Sequence, residues 1–136
     1  MNRRDFLIAT AAVTLAMPIV AHATADYSPE LLKAELAAGK TVFLDFKASW
    51  CSTCAAQERV IEALKADDPA YETAITFINV DWDLWGEGEL VAQLNIPRRS
   101  TLVVLQGDQE LGRIVAGTAK AEIKALMDLA LQAATA

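Results

Sequence analysis

Cys51 and Cys54 are the only cysteines in the 136-residue chain, separated by Ser52 and Thr53. They stand where a β-branched and aromatic run, Thr41 to Lys47, gives way to a helix-like run from Thr53 to Ala66. Two thiols at that spacing, at a strand-to-helix switch, read as a redox dithiol. Other uses of a thiol pair are poorly served here. A purely structural disulfide closing so short a loop constrains the unfolded chain little. A zinc site needs four ligands, and the single histidine, His22, lies far upstream. Haem attachment requires a histidine directly after Cys54, where Ala55 stands. Cys–His nucleophilic catalysis and an imidazole-supported copper site lack a partner in the same way.

The flanking pattern is that of an α/β domain. Residues 26–38 have helical character, with Ser28 as N-cap, Pro29 at the first helical position and Gly39 as the stop. The run Thr41 to Lys47 is apolar on both faces except at Asp45, which suits a central strand covered on both sides. Residues 53–66 form a helix with Val60, Ile61 and Leu64 on one face, ended by Asp67-Asp68-Pro69. Residues 74–80 form a second buried strand, so the two strands should be parallel with a right-handed crossover. Residues 81–88 read as a loop whose Trp82 and Trp85 cover the edge of the core, followed by a short helix to Leu94. Strands at 101–106 and 110–116 flank the hairpin signal Gly107-Asp108. A last helix, 119–133, sets Ile123, Leu126, Met127, Ala130 and Leu131 on one core-facing stripe. A βαβ half followed by a ββα half predicts a four-stranded mixed sheet flanked by helices.

This order of elements resembles the thioredoxin superfamily from about Thr41 to the C-terminus. So do the segment Leu44-Asp45-Phe46-Lys47-Ala48-Ser49-Trp50-Cys51-Ser52-Thr53-Cys54 and the run Thr101-Leu102-Val103-Val104-Leu105 entering the hairpin. The resemblance implies an α/β thioredoxin-like fold and a thiol–disulfide oxidoreductase of the protein-disulfide reductase type. Its only redox group would be the Cys51–Cys54 disulfide, with no cofactor and no metal. It assigns attack to Cys51 and resolution to Cys54, and sets Asp45 behind the resolving cysteine and Trp50 at the aromatic flank of the site. Trp50, Arg99, Ser100 and Thr101 would line the substrate groove. The chain departs from the pattern at Ser100, which occupies the slot of a cis-proline facing the dithiol, while Pro97 lies three positions too early. A cis bond before serine costs ~2.5–4 kcal/mol against ~0.5–1 before proline. The Arg99–Ser100 bond is therefore expected to be trans, with a rebuilt loop, an altered groove and a dithiol less shielded from metals. Ala55 and Arg59 stand where family members often carry a basic residue and a helix-kinking proline.

Disulfide exchange needs a thiolate to attack and a second thiol to resolve the mixed disulfide. Cys51 at a helix N-terminus has its thiolate favoured by unpaired N–H groups and the helix dipole. A carboxylate inside an apolar strand is costly unless paired or functional, so Asp45 should be desolvated and able to take the proton of Cys54. Lys47, on the same face by the period of two, is its expected partner. Arg98 and Arg99 form the sole basic pair of the mature domain and are candidates for stabilising the Cys51 thiolate or steering an acidic partner.

Residues 1–23 read as a signal peptide: a short charged start, an apolar run from Phe6 to Val20 too short to span a bilayer, and small residues of the A-x-A type at 21–25. Arg3-Arg4-Asp5-Phe6-Leu7 resembles the twin-arginine export motif, with Asn2 and Ile8 departing from it. A retained anchor is the alternative. Cleavage near Ala23 or Ala25 leaves a single domain from about residue 24 to residue 136, exported to the periplasm and without stable membrane insertion. Losing Arg3, Arg4 and Asp5 takes 12 basic and 18 acidic side chains to 10 and 17, a net charge of −7 with no footprint for nucleic acid. The expected partners are disulfide-containing exported proteins, with a membrane thiol reductant as electron donor. The alternative is a binding module that uses the thioredoxin scaffold to hold a metal, an iron–sulfur cluster or a partner protein through the dithiol.

Overall fold

The computed structural model describes residues 23–136; the expected signal peptide, apart from Ala23, and its arginine pair lie outside the described residues. In chain order the elements are β1 (Ala25–Asp26), α1 (Pro29–Ala37), β2 (Thr41–Lys47), α2 (Ser52–Asp67), α3 (Ala70–Ala74), β3 (Thr76–Asp81), α4 (Trp82–Trp85), α5 (Glu89–Leu94), β4 (Thr101–Gln106), β5 (Gln109–Val115) and α6 (Lys120–Thr135). The sheet has five strands in the order β1-β3-β2-β4-β5, not four. The added strand is two residues long, pairing Ala25 with Ile78 and Asp26 with Asn79, and hydrogen bonding to β3 rather than any side-chain period makes it a strand.

β2 lies in the middle, parallel to β3 and antiparallel to β4. Its side chains alternate between two cores. Val42, Leu44 and Phe46 join Leu32 of α1 and Leu90 of α5 on one face. Phe43 packs on the other with Ile61 and Leu64 of α2 and Ile123, Leu126 and Met127 of α6. Each fully buried apolar side chain contributes roughly 1.5–3 kcal/mol, so this two-sided burial fixes the register of β2. Asp45 shares the parity of Phe43 and is therefore turned toward the α2 side.

Local signals set the ends. Ser28 caps α1 by accepting a hydrogen bond from Leu31 N at 3.1 Å, with Pro29 at the first helical position. The two-residue hairpin loop carries Gly107 at φ 60°, a left-handed value that glycine adopts without steric cost. Two short helical turns lie where the sequence marked no helix: α4 within the expected loop, and α3 reaching Ala74, the expected start of the second strand, which begins at Thr76. α3 follows an aspartate turn in which Asp68 Oδ1 accepts from Ala70 N, and α4 starts where Asp81 Oδ1 accepts from Asp83 N.

Candidate active site

β2 ends at Lys47 and the chain turns through Ala48, Ser49 and Trp50 into α2, with Cys51 as the N-cap. Its Sγ accepts a hydrogen bond from Cys54 N at 3.1 Å, the place a serine or aspartate oxygen takes in an ordinary cap. Cys51 and Cys54 form a disulfide with Cα atoms 5.3 Å apart, and both side chains are buried. Once reduced, a Cys51 thiolate in this position meets the unpaired N–H groups and positive dipole end of a 16-residue helix.

Asp45 is buried, its Oδ1 has no hydrogen-bond partner, and burial pushes its carboxyl up to about 7. Lys47 and Lys65 pull it down and Glu58 adds to the rise. The expected Asp45–Lys47 pair is not formed. Lys47 Nζ instead reaches Glu58 Oε2 at 2.9 Å, because α2 runs over this face and offers a more exposed carboxylate. Asp45 borders a pocket of about 110 Å³ lined by the polar Thr24, Glu58, Glu62, Lys65 and Asn79 and by four apolar side chains.

Ser100 is fully buried, with its Oγ 3.1 Å from Cys51 Sγ and 3.1 Å from Cys54 Sγ. Every described peptide bond is trans, including Arg99–Ser100, and Ser100 sits at φ 63°. Its N–H donates to Phe46 O at 2.7 Å, and its carbonyl accepts from Ala116 N at 2.8 Å. Thr101, placed in the groove by the sequence, is fully buried, and its hydroxyl donates to Arg98 O at 2.7 Å. Its side chain offers nothing to a substrate.

Trp50 is 58 % exposed beside Cys51. Its Nε1 donates to Asp83 Oδ1 at 3.0 Å, and the Arg99 guanidinium lies over its ring, 4.5 Å from the centroid. Arg98 Nε donates to Arg99 O at 3.0 Å. Neither guanidinium has a hydrogen bond to a sulfur, so the direct donors to the dithiol are the Cys54 N–H and the Ser100 hydroxyl.

Two residues near the dithiol escape a reading of the sequence. Gln57, fully buried on α2, donates through Nε2 to Ser100 O at 3.0 Å and to Gly117 O at 3.0 Å. The signal for it is positional: it lies three residues after Cys54 and four before Ile61, a polar residue on a buried stripe. Trp82 packs against Ala48, Cys51 and Cys54 as well as the core, while Trp85 stands edge-on to Tyr27 at 4.9 Å. Among the described residues no group of three or more His, Cys, Asp or Glu side chains is placed to hold a metal ion.

The chemistry open to this arrangement is two-step exchange. The Cys51 thiolate attacks a substrate disulfide, forming one S–S bond as another breaks and a substrate thiolate leaves. Cys54 then gives up its proton and attacks Cys51 Sγ, releasing the second substrate thiolate and closing the disulfide seen here.

Known proteins agree with the geometry. A family model described as thioredoxin matches residues 19–129. The chain is 32% identical over 120 residues to a thioredoxin H-type of Brassica oleracea, covering 88% of this chain and 91% of that one. It is 31% identical over 106 residues to thioredoxin H2-1 of Oryza sativa subsp. japonica, covering 78% and 71%. The crystal structure of Trxlp from Edwardsiella tarda EIB202 superposes with a TM-score of 0.66 at 28% identity, over 78% of this chain and 96% of that one. Thioredoxins act on disulfide-containing proteins and need no cofactor beyond their own dithiol. With Cys51 capping α2 and Cys54 one turn behind it, the chain belongs to the thioredoxin family and is a thiol–disulfide oxidoreductase.

Proposed function

We propose that this thioredoxin is exported to the periplasm and there reduces disulfides in other exported proteins, drawing its electrons from a thiol carrier in the membrane. The observation that carries this reading is a leader-like N-terminus ahead of a single dithiol domain. Arg3-Arg4-Asp5-Phe6-Leu7, an apolar run and A-x-A closures precede the domain. The reductive direction is supported by the connection from β3 to β4, which carries only the short helices α4 and α5 and no inserted helical domain. An oxidising compartment does not resupply a reductase, so electrons must enter through the membrane.

The test is expression of Cys54→Ser with its own leader, which stops exchange at the mixed disulfide on Cys51. Partners are recovered from the periplasm and membrane and identified by mass spectrometry. Disulfide-containing exported proteins and a membrane thiol carrier are the expected catch. A variant found only in the cytoplasm, or one that traps no exported protein, overturns the proposal.

A further inference from the structure

We infer that the Ser100 hydroxyl is a catalytic hydrogen-bond donor, serving the Cys51 thiolate and then the Cys54 thiolate as the dithiol works. The inference rests on thiol–disulfide exchange at this site and is independent of the compartment. Ser100 Oγ is equidistant, at 3.1 Å, from the two sulfurs. These are its only hydrogen-bond partners among the described residues, and the side chain is sealed from solvent. A buried hydroxyl without another acceptor must donate to one sulfur or the other.

The backbone aims it. Three hydrogen bonds hold Ser100, from its own N–H to Phe46 O and into its carbonyl from Ala116 N and Gln57 Nε2. They keep a non-glycine residue at φ 63°, a left-handed conformation it would not adopt unaided. Gln57, tied also to Gly117 O, is thereby a positioning residue for the hydroxyl. No other side chain donates to either sulfur among the described residues. The charged groups around the site are engaged elsewhere: Lys47 with Glu58, Asp83 with the Trp50 indole, Arg99 over the Trp50 ring. Asp45, on the β2 face under α2, has no hydrogen bond to a sulfur.

A disulfide sulfur is a weak acceptor and a thiolate a strong one, so the bond gains strength when the pair is reduced. On reduction by an external dithiol, two electrons break the Cys51–Cys54 bond. Cys54 takes a proton from the external dithiol, which leaves as its own disulfide, and Cys51 is left as the thiolate facing the Ser100 O–H. When Cys51 Sγ bonds to a substrate sulfur its charge leaves with the departing substrate thiolate, and the hydroxyl turns to Cys54 Sγ. There it stabilises the thiolate formed as Cys54 gives its proton to the substrate thiolate already released, until the Cys54 thiolate attacks Cys51 Sγ, breaks its bond to the substrate sulfur and closes the disulfide. The hydroxyl keeps its own proton throughout. Stabilising the reduced form makes the dithiol less reducing than the same site without the hydroxyl.

The experiment compares the reduced wild type with Ser100→Ala and Ser100→Gly. Glycine takes φ 63° readily and keeps the N–H bond to Phe46 O, so it separates loss of the hydroxyl from loss of the loop. The Cys51 pKa is read from thiolate ultraviolet absorbance and alkylation rate against pH. We expect it to rise by about one unit in both variants. The dithiol–disulfide equilibrium against glutathione should shift toward the disulfide. An unchanged pKa in both folded variants, or a shift with alanine that glycine does not share, overturns the inference. The titration uses no substrate, so its failure is distinct from a failure of wild type to turn over disulfides.

Discussion

Replacing Asp45 by asparagine removes a charge that the fold accommodates poorly, and the structure sets the scale. Asp45 lies on the middle strand, 6 % exposed, with Oδ1 unpartnered and its carboxyl raised by burial from 3.8 to about 7. In the unfolded chain the group ionises as pH rises past about 4; in the folded protein it keeps its proton to about 7. Between those values the native state holds a proton that the unfolded chain has lost, so stability falls as pH rises. The loss is complete only above the folded value. A gap of about three units at ~1.36 kcal/mol per unit amounts to ~4 kcal/mol. The asparagine side chain carries no such proton, so the stability difference between Asp45→Asn and wild type should be smallest near about pH 4. It should grow to about 4 kcal/mol in favour of the variant by about pH 8. Urea unfolding of both oxidised proteins across this range measures it, with midpoints compared at equal slope. Parallel stability curves, or a difference that grows on acidification, would refute the burial argument.

Three further substitutions follow from the contacts around the dithiol. The double variant Arg98→Ala/Arg99→Ala should leave the Cys51 pKa unchanged, since Arg99 stacks on Trp50 and Arg98 bonds Arg99 O; a clear rise in thiolate titration would restore a direct role. Gln57→Ala should lose about 2–4 kcal/mol, having removed two buried hydrogen bonds and left a cavity under Ser100. A chemical denaturation midpoint at the wild-type value would show that the clamp is unimportant. Ser100→Pro should destabilise by ~3 kcal/mol or more, because proline requires φ near −65° against the 63° present and removes the N–H given to Phe46 O. Insulin-disulfide reduction at the wild-type rate by a variant of wild-type stability would contradict both the loop geometry and the expectation of an altered groove.

What the residues disclose by themselves is whatever a local rule governs. β2 is legible because two-sided burial writes apolar residues on both of its faces, Asp45 excepted, and α1 because Ser28 and Pro29 are chemically a helix start. Asp45 is legible for the opposite reason: it breaks the rule of its strand, and desolvation follows whatever surrounds it. Its partner is not legible, because Glu58 reaches Lys47 only once α2 has crossed the sheet. β1 exists only as hydrogen bonds to β3, and α3 and α4 are single turns below the length at which periodicity speaks.

Ser100 and Gln57 mark the boundary more sharply. Resemblance to thioredoxins shows which slot Ser100 fills, but its hydroxyl meets Cys54 across a separation of 46 residues, which no local pattern records. A proline ring in this slot would cover the sulfurs and donate nothing, whereas serine donates but needs its loop held by other means. The trans bond, the left-handed φ, the N–H to Phe46 O and the Gln57 clamp are those means, and they form one unit. Changing Ser100 alone therefore leaves Gln57 gripping a carbonyl whose position no longer serves the dithiol, and changing Gln57 alone frees the hydroxyl from its aim. Their effects on the Cys51 pKa must be strongly non-additive, as residues sharing one hydrogen-bond network are.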